Sequence, residues 1–121
     1  MEREEWMDEK SLIVKMKVKN IFNEIPRDLP QELFTKIISK KNFKIERIIS
    51  KEHKTPNGKW YDQNKNEWVL ILDGNAELTF IENNSLKKLK IKKGDYINIP
   101  AHLKHRVDKT SKKTIWLIVF Y

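Results

Sequence analysis

Gly94–Val107 reads GDYINIPAHLKHRV, and the rest of the chain is best read outward from it. It carries two of the three histidines, His102 and His105, one of the three glycines and one of the four prolines. Gly94-Asp95 reads as a hairpin corner and Tyr96–Ile99 as a short strand. Pro100 stops that strand before a tight loop, and a second strand-like run starts at His105. Imidazoles presented by a rigid strand–turn–strand suit metal binding or proton transfer, because neutral histidine is the commonest metal ligand.

Around this stretch, short apolar runs and period-two alternation continue from Phe43 to the end. Phe43–Ser50, Trp60–Gln63, Glu67–Leu72, Ala76–Glu82, Leu86–Ile91 and Thr114–Tyr121 read as strands. Asp73-Gly74 is a hairpin signal that would pair the strands on either side of it, and Asn83-Asn84 makes the next turn. Lys51–Lys59 is a loop carrying His53, Pro56 and Gly58. Toward the front, Ser11–Lys19 alternates: Val14, Met16 and Val18 face one way, Lys15, Lys17 and Lys19 the other, which predicts a half-buried strand. Asp28 is placed as a helix N-cap, with Pro30 in the first turn and Leu33, Phe34, Ile37 and Ile38 as the apolar stripe of a short helix ending near Lys40. Met1–Lys10 is an acidic, frayed or briefly helical lead. About nine short strands at roughly eight-to-twelve-residue spacing, with one helix near the front, predict a small all-β, mainly antiparallel barrel or sandwich. The expected organisation is one domain, with residues 1–42 an N-terminal strand-and-helix extension and 43–121 the barrel.

At 121 residues the chain can bury a core without staples. It has no cysteine, which excludes disulfides, thiolate metal sites and a cysteine nucleophile. Its apolar runs fall far short of the ~20 residues of a membrane span, and the opening MEREEW shows no signal peptide, so a cytoplasmic protein with no membrane partner is expected. The net charge of +8 raises the question of nucleic acid. The lysines, however, alternate with apolar residues as on the wet face of a sheet. Arginine, the usual reader of base edges, occurs only four times. A solvated basic surface is the better reading, and a small molecule the expected partner.

Two segments stand out together, Trp60–Gly74 (WYDQNKNEWVLILDG) and Gly94–Val107. With these residues the chain resembles the cupin family, in its small single-domain form. Glu67 followed after six residues by Gly74 is similar to the end of the first cupin motif. Gly94, then Pro100 and His105, is similar to the second. The likeness runs from about Phe43 to Tyr121. It implies a jelly-roll β-barrel, here with one short N-terminal helix, in which strands of the two segments are neighbours and Glu67 and His105 share a cavity. It also implies a divalent metal on three histidines and a glutamate.

The first motif's His-x-His pair is absent. In one register its positions are Tyr61 and Gln63, in the other Trp60 and Asp62; the first follows the inward parity of Glu67, Val69 and Ile71. The candidate metal ligands are therefore Glu67, His105 and Gln63, with Asp62 as the alternative to Gln63. Such a mixed N/O set suits Fe, Mn, Ni or Zn without choosing among them. His102 or His53 would have to supply a second imidazole for iron–oxygen chemistry. Without metal, Glu67 and His105 become a paired base and acid. Tyr61 and His102 are candidate substrate contacts, and Trp60, Trp68 and Trp116 core anchors. A buried Glu67 needs a partner, whether a metal, His105 or Arg47. The resulting expectation is a metal-binding enzyme of oxygenase or isomerase type acting on a small metabolite. A non-catalytic sensor is the alternative, and whether the chain is an enzyme at all stays open. The alternating Ser11–Lys19 predicts a homodimer formed through an edge strand.

Overall fold

The structure, a computed structural model, describes residues 11–121; the expected acidic lead lies outside them. One helical turn, α1 (Leu12–Lys15), precedes eight strands. These are β1 (Leu33–Lys40), β2 (Phe43–Ser50), β3 (Glu67–Asp73), β4 (Asn75–Glu82), β5 (Ser85–Lys92), β6 (Tyr96–Ile99), β7 (Lys104–Thr110) and β8 (Thr114–Phe120). They form two antiparallel sheets, ordered β1-β2-β8-β3-β6 and β5-β4-β7. The expected all-β jelly roll is what forms.

The central strand β8, TIWLIVF, is apolar at almost every position because it lies inside the larger sheet with β2 and β3 on either side. Ile71 and Ile115 are fully buried, and Val69, Leu78, Trp116 and Ile118 join them within the fold. Each such aliphatic side chain contributes about 1.5–3 kcal/mol. At the opposite extreme, β5 is an edge strand whose Lys87, Lys88, Lys90 and Lys92 are all exposed.

Three sequence expectations are corrected. The helix expected to end near Lys40 is strand β1, paired with β2 from Leu33↔Ile49 to Lys40↔Phe43. A β-bulge between Lys36 and Ile38 breaks the alternation, leaving the apolar residues in adjacent pairs that imitate a helical stripe. Ser11–Lys19 is not a strand: after α1 it runs as irregular chain, with Met16 73% and Val18 fully exposed. Its alternating residues pair with no strand. Trp60–Gln63 contributes only an isolated bridge, Tyr61↔His105.

The two glycine corners also differ from simple hairpins. β3 and β4 belong to different sheets, as do β5 and β6, so Gly74 and Gly94 mark crossings between layers. Gly74 has φ +78, and a Cβ there would lie 2.2 Å from the Lys113 carbonyl oxygen. Only glycine fits that corner. Asn83 and Asn84, both at positive φ, make the true hairpin between β4 and β5, with Glu82↔Ser85 as its last pair.

On the outer face of β2, the irregular segment 20–28 is pinned as a strap. Arg47 is 6% exposed and donates to the carbonyls of Ile21 (3.0 Å), Asn23 (2.6 Å) and Glu24 (3.4 Å) and to Thr35 Oγ1 (3.3 Å). Lys51 Nζ donates to the carbonyls of Pro26 and Arg27. Arg47 is thus committed outward and is not the partner of Glu67.

Candidate functional site

Between the sheets lies a cavity of about 210 Å³, lined by Glu32, Phe34 and Lys44, Glu46 and Ile48 of β2, together with Tyr61, Gln63, Glu67 and Trp116. Lys44, Glu46 and Ile48 share one parity of β2 and so face inward together, while Arg47 takes the other face. Tyr61 and Gln63 line the cavity on the same parity as Glu67.

Glu67 is 5% exposed, and its Oε1 has no hydrogen-bond partner. His105 Nε2 lies 3.6 Å from that oxygen. The two residues come from opposite sheets, β3 and β7, rather than from adjacent strands, and meet across the interior. His105 is held in place from every side. Its Nδ1 lies 2.8 Å from the Leu103 carbonyl, which can only accept, so Nδ1 carries the hydrogen. Its ring lies between Tyr61 and Phe80, with centroids at 5.7 and 5.9 Å. Reciprocal backbone bonds with Tyr61 fix the strand beside it, at 2.8 Å from Tyr61 N and 3.1 Å from His105 N.

A neutral His105 therefore turns the Nε2 lone pair toward Glu67. Burial first, and the nearby Glu46 carboxylate second, push the Glu67 carboxyl up to about 7, with Lys44 opposing them. Burial lowers the imidazole below its ordinary value, against the Leu103 hydrogen bond and Asp62, which raise it. Both shifts favour neutral partners, so the contact is a site for one mobile proton rather than a fixed ion pair. Burial also raises the Tyr61 phenol, with Glu32 and Glu67 adding to it, which keeps that phenol a neutral donor at the cavity wall.

The remaining candidates are placed elsewhere. Asp62 and His102 pair with each other at 3.0 Å on the exposed side, at 42% and 69% side-chain exposure. His102 holds φ +66, a left-handed conformation that glycine adopts more readily. His53 Nδ1 accepts from the Lys51 amide at 2.8 Å, and the residue is not among those lining the cavity. Among the described residues no three His, Cys, Asp or Glu side chains converge to hold a metal ion. Glu67 and His105 are two strong donors and Gln63 a weak third, a set that does not fit a divalent metal needing three protein ligands. Sequence reasoning missed Lys44, Glu46 and Glu32. The signal available was a charged pair placed alternately in the apolar run FKIERIIS.

The sequence matches the Cupin domain family over residues 51–121. The chain belongs to the cupin family. Among solved structures, this cupin is similar to a protein of Ralstonia eutropha JMP134 provisionally named a mannose-6-phosphate isomerase. The identity is 36%, the TM-score 0.79, and the match covers 87% of this chain and 97% of that one. A cupin superfamily protein of Desulfitobacterium hafniense DCB-2 is 18% identical with a TM-score of 0.66, over 79% of this chain and 82% of that one. Oxalate decarboxylase of Bacillus subtilis, a protein with Mn(II) centres, is 19% identical with a TM-score of 0.57, over 65% of this chain and 21% of its own. Those last two likenesses speak for the fold alone. Among curated proteins none matches the chain. No helix of the described residues is long and apolar enough to cross a membrane.

Proposed function

We propose that this cupin binds a small polar carbonyl compound in the lumen and moves a proton on it, in the manner of an isomerase, with Glu67 as the proton carrier. One observation carries this reading: the orphaned, buried Glu67 carboxylate oxygen facing His105 Nε2 at 3.6 Å. A carboxyl near 7 is divided between acid and base at neutral pH, the condition under which general acid–base transfer is most effective. Ionised Glu67 would take a proton from the hydroxyl-bearing carbon beside the carbonyl, leaving an enediolate, and return it to the former carbonyl carbon, while the hydroxyl proton passes to the former carbonyl oxygen. His105, fixed through Nδ1, would orient the carboxyl, and the Tyr61 phenol would donate to the developing oxyanion. The provisional name of the 36%-identical relative, a mannose-6-phosphate isomerase, supports this class of chemistry and says nothing of the charge of this chain's ligand.

The test is proton exchange in deuterium oxide, followed by NMR on a panel of small aldoses, ketoses and their amino and phosphate derivatives. Exchange beside the carbonyl is expected with the native protein, and Glu67→Gln should abolish it while binding persists, weakened but measurable. Binding with no exchange on any compound would leave the sensor reading in its place.

The resemblance to metal-dependent relatives suggested a divalent ion on Glu67, His105 and Gln63, but this reading needs none. Untagged protein reconstituted with Fe, Mn, Ni and Zn is expected to retain well under one equivalent of each, and stoichiometric retention would overturn that part. A homodimer goes with the reading as well. Edge strand β1 exposes Phe34, Ile37 and Ile38 at 54%, 44% and 42%, apolar surface along an edge that a second copy could cover. A sedimentation mass near 14.6 kDa at tens of micromolar would contradict it. A cytosolic setting is proposed too, and recovery of the protein in a membrane pellet would count against it.

A further inference from the structure

The chain is basic, but its lumen is not. Of the groups lining the cavity, Glu32, Glu46 and Glu67 are acidic and Lys44 alone is a cation. The acidic groups do not merely cluster. Glu67 is more than nine-tenths buried, has an unpartnered oxygen, and belongs to the cavity wall. Glu46 is also buried, at 6% exposure. Glu32 accepts from the Ser50 hydroxyl, which in turn accepts from Trp116 Nε1 at 3.1 Å, and Glu46 pairs with Lys44 Nζ.

The same walls carry Phe34, Tyr61, Trp116 and Phe120. Aromatic faces beside carboxylates attract organic cations, because the ring's negative face and the carboxylate act in the same direction. The chain already demonstrates this with its own ammonium. Lys44 Nζ lies 4.4 Å from the Phe120 ring centroid and 3.5 Å from Glu46 Oε2. A negatively charged ligand, in contrast, would have to enter against Glu32 and Glu46, and against Glu67 whenever it is ionised, with one ammonium to offset them.

We infer that the lumen selects a small amine-bearing ligand, carried as its ammonium form, over neutral and phosphorylated analogues of the same size. The inference deepens the proposed function and rests on it for the location of the site. The cavity, about 210 Å³, is smaller than the about 300–1,000 Å³ of drug-sized ligand sites, which restricts the ligand to a compact metabolite. The ligand's ammonium would sit against Glu46 and the aromatic wall, with its polar remainder reaching Glu67, Gln63 and the Tyr61 phenol.

The experiment compares three probes that share a scaffold and differ in charge: D-glucosamine, D-glucose and D-glucose 6-phosphate. Binding to the full chain is measured by calorimetry at low salt. Glucosamine is expected to bind roughly tenfold or more tightly than glucose, a modest share of what close charge pairs contribute across an interface, with the phosphate weakest. Glu46→Gln should reduce the glucosamine preference. Lys44→Met should increase glucosamine affinity several-fold by vacating the seat of the internal ammonium, a gain that a damaged fold would not produce. Equal affinities, no glucosamine binding, or preference for the phosphate would each overturn the inference. If glucose or its phosphate binds instead and Glu67→Gln weakens that binding, the lumen site stands and only the charge selection falls. Binding indifferent to Glu67→Gln would remove both.

Discussion

Two buried charged residues lie on either side of the larger sheet, and they are treated in opposite ways. Outside, Arg47 donates to three backbone carbonyls and a threonine hydroxyl, so its charge is spread over a strap of chain that it holds in place. Inside, Glu67 has an oxygen with no donor at all and a histidine that turns a lone pair toward it. The first arrangement is a structural clamp: both terminal guanidinium nitrogens are used, and only the buried Nε lacks a partner. The second is incomplete as it stands, and burying a carboxylate in that state costs stability that a merely structural residue would not be retained to spend. The contrast separates a charge that builds the protein from one the protein maintains for another purpose.

The sharpest way to break the contrast is to remove the clamp. Arg47→Ala should cost about 2–4 kcal/mol in urea denaturation, since it leaves the strap carbonyls unpaired beneath a new void. A loss below about 1 kcal/mol would mean that the outer cluster contributes no more than surface chemistry.

Glu67→Gln should act in the opposite direction, stabilising the protein by about 1–3 kcal/mol at pH 8. The sign follows from the proton balance. Glu67 titrates near 7 in the folded chain and near 4.5 without its surroundings, so the folded state holds the extra proton between those values. Its contribution is therefore fully present below about 4.5 and lost as the pH rises through about 7. His105, lowered from 6.5, works the other way and costs stability as the pH falls below that value. The advantage of Glu67→Gln should consequently shrink toward pH 5, and a pH-independent difference would show that the carboxyl is not buried as described.

The smallest effect is expected at the exposed pair. His102→Gly relieves the left-handed backbone at φ +66 and gives up only the solvent-facing contact with Asp62, so stability should change by less than about 1 kcal/mol, upward if at all. Proton exchange on the substrate panel should be unchanged, which separates His102 from the Glu67–His105 pair.

The barrel was legible because its strands carry period-two patterning wherever one face is buried. Phe43–Ser50 and Tyr96–Ile99 form with the bounds read from sequence. The N-terminal third was not legible, for two distinct reasons. In β1 a bulge displaced the alternation, and the decision between helix and strand rested on a partner, β2, that follows it in the chain. In Ser11–Lys19 the alternation was present but no strand pairs with it, since pattern records what a segment could bury and not whether a neighbour takes it up. At the site, the inward parity of Tyr61, Gln63 and Glu67 could be counted along the chain. The approach of Glu67 to His105 across two sheets, and the inward turn of Lys44 and Glu46, depend on how the layers close. No local spacing encodes that closure.

The lysines of β5 have a consequence for the molecule's behaviour in crowded solution. An edge strand offers its unpaired amides and carbonyls to any other strand, and here that edge bears Lys87, Lys88, Lys90 and Lys92, all exposed. Two copies approaching edge to edge would bring these rows of ammonium groups together, so the surplus of basic charge acts as a colloidal guard against sheet extension. The guard is electrostatic and therefore conditional. At about 1 M salt, where charges are screened within about 3 Å, or after acetylation of those lysines, the same edge becomes a point of growth.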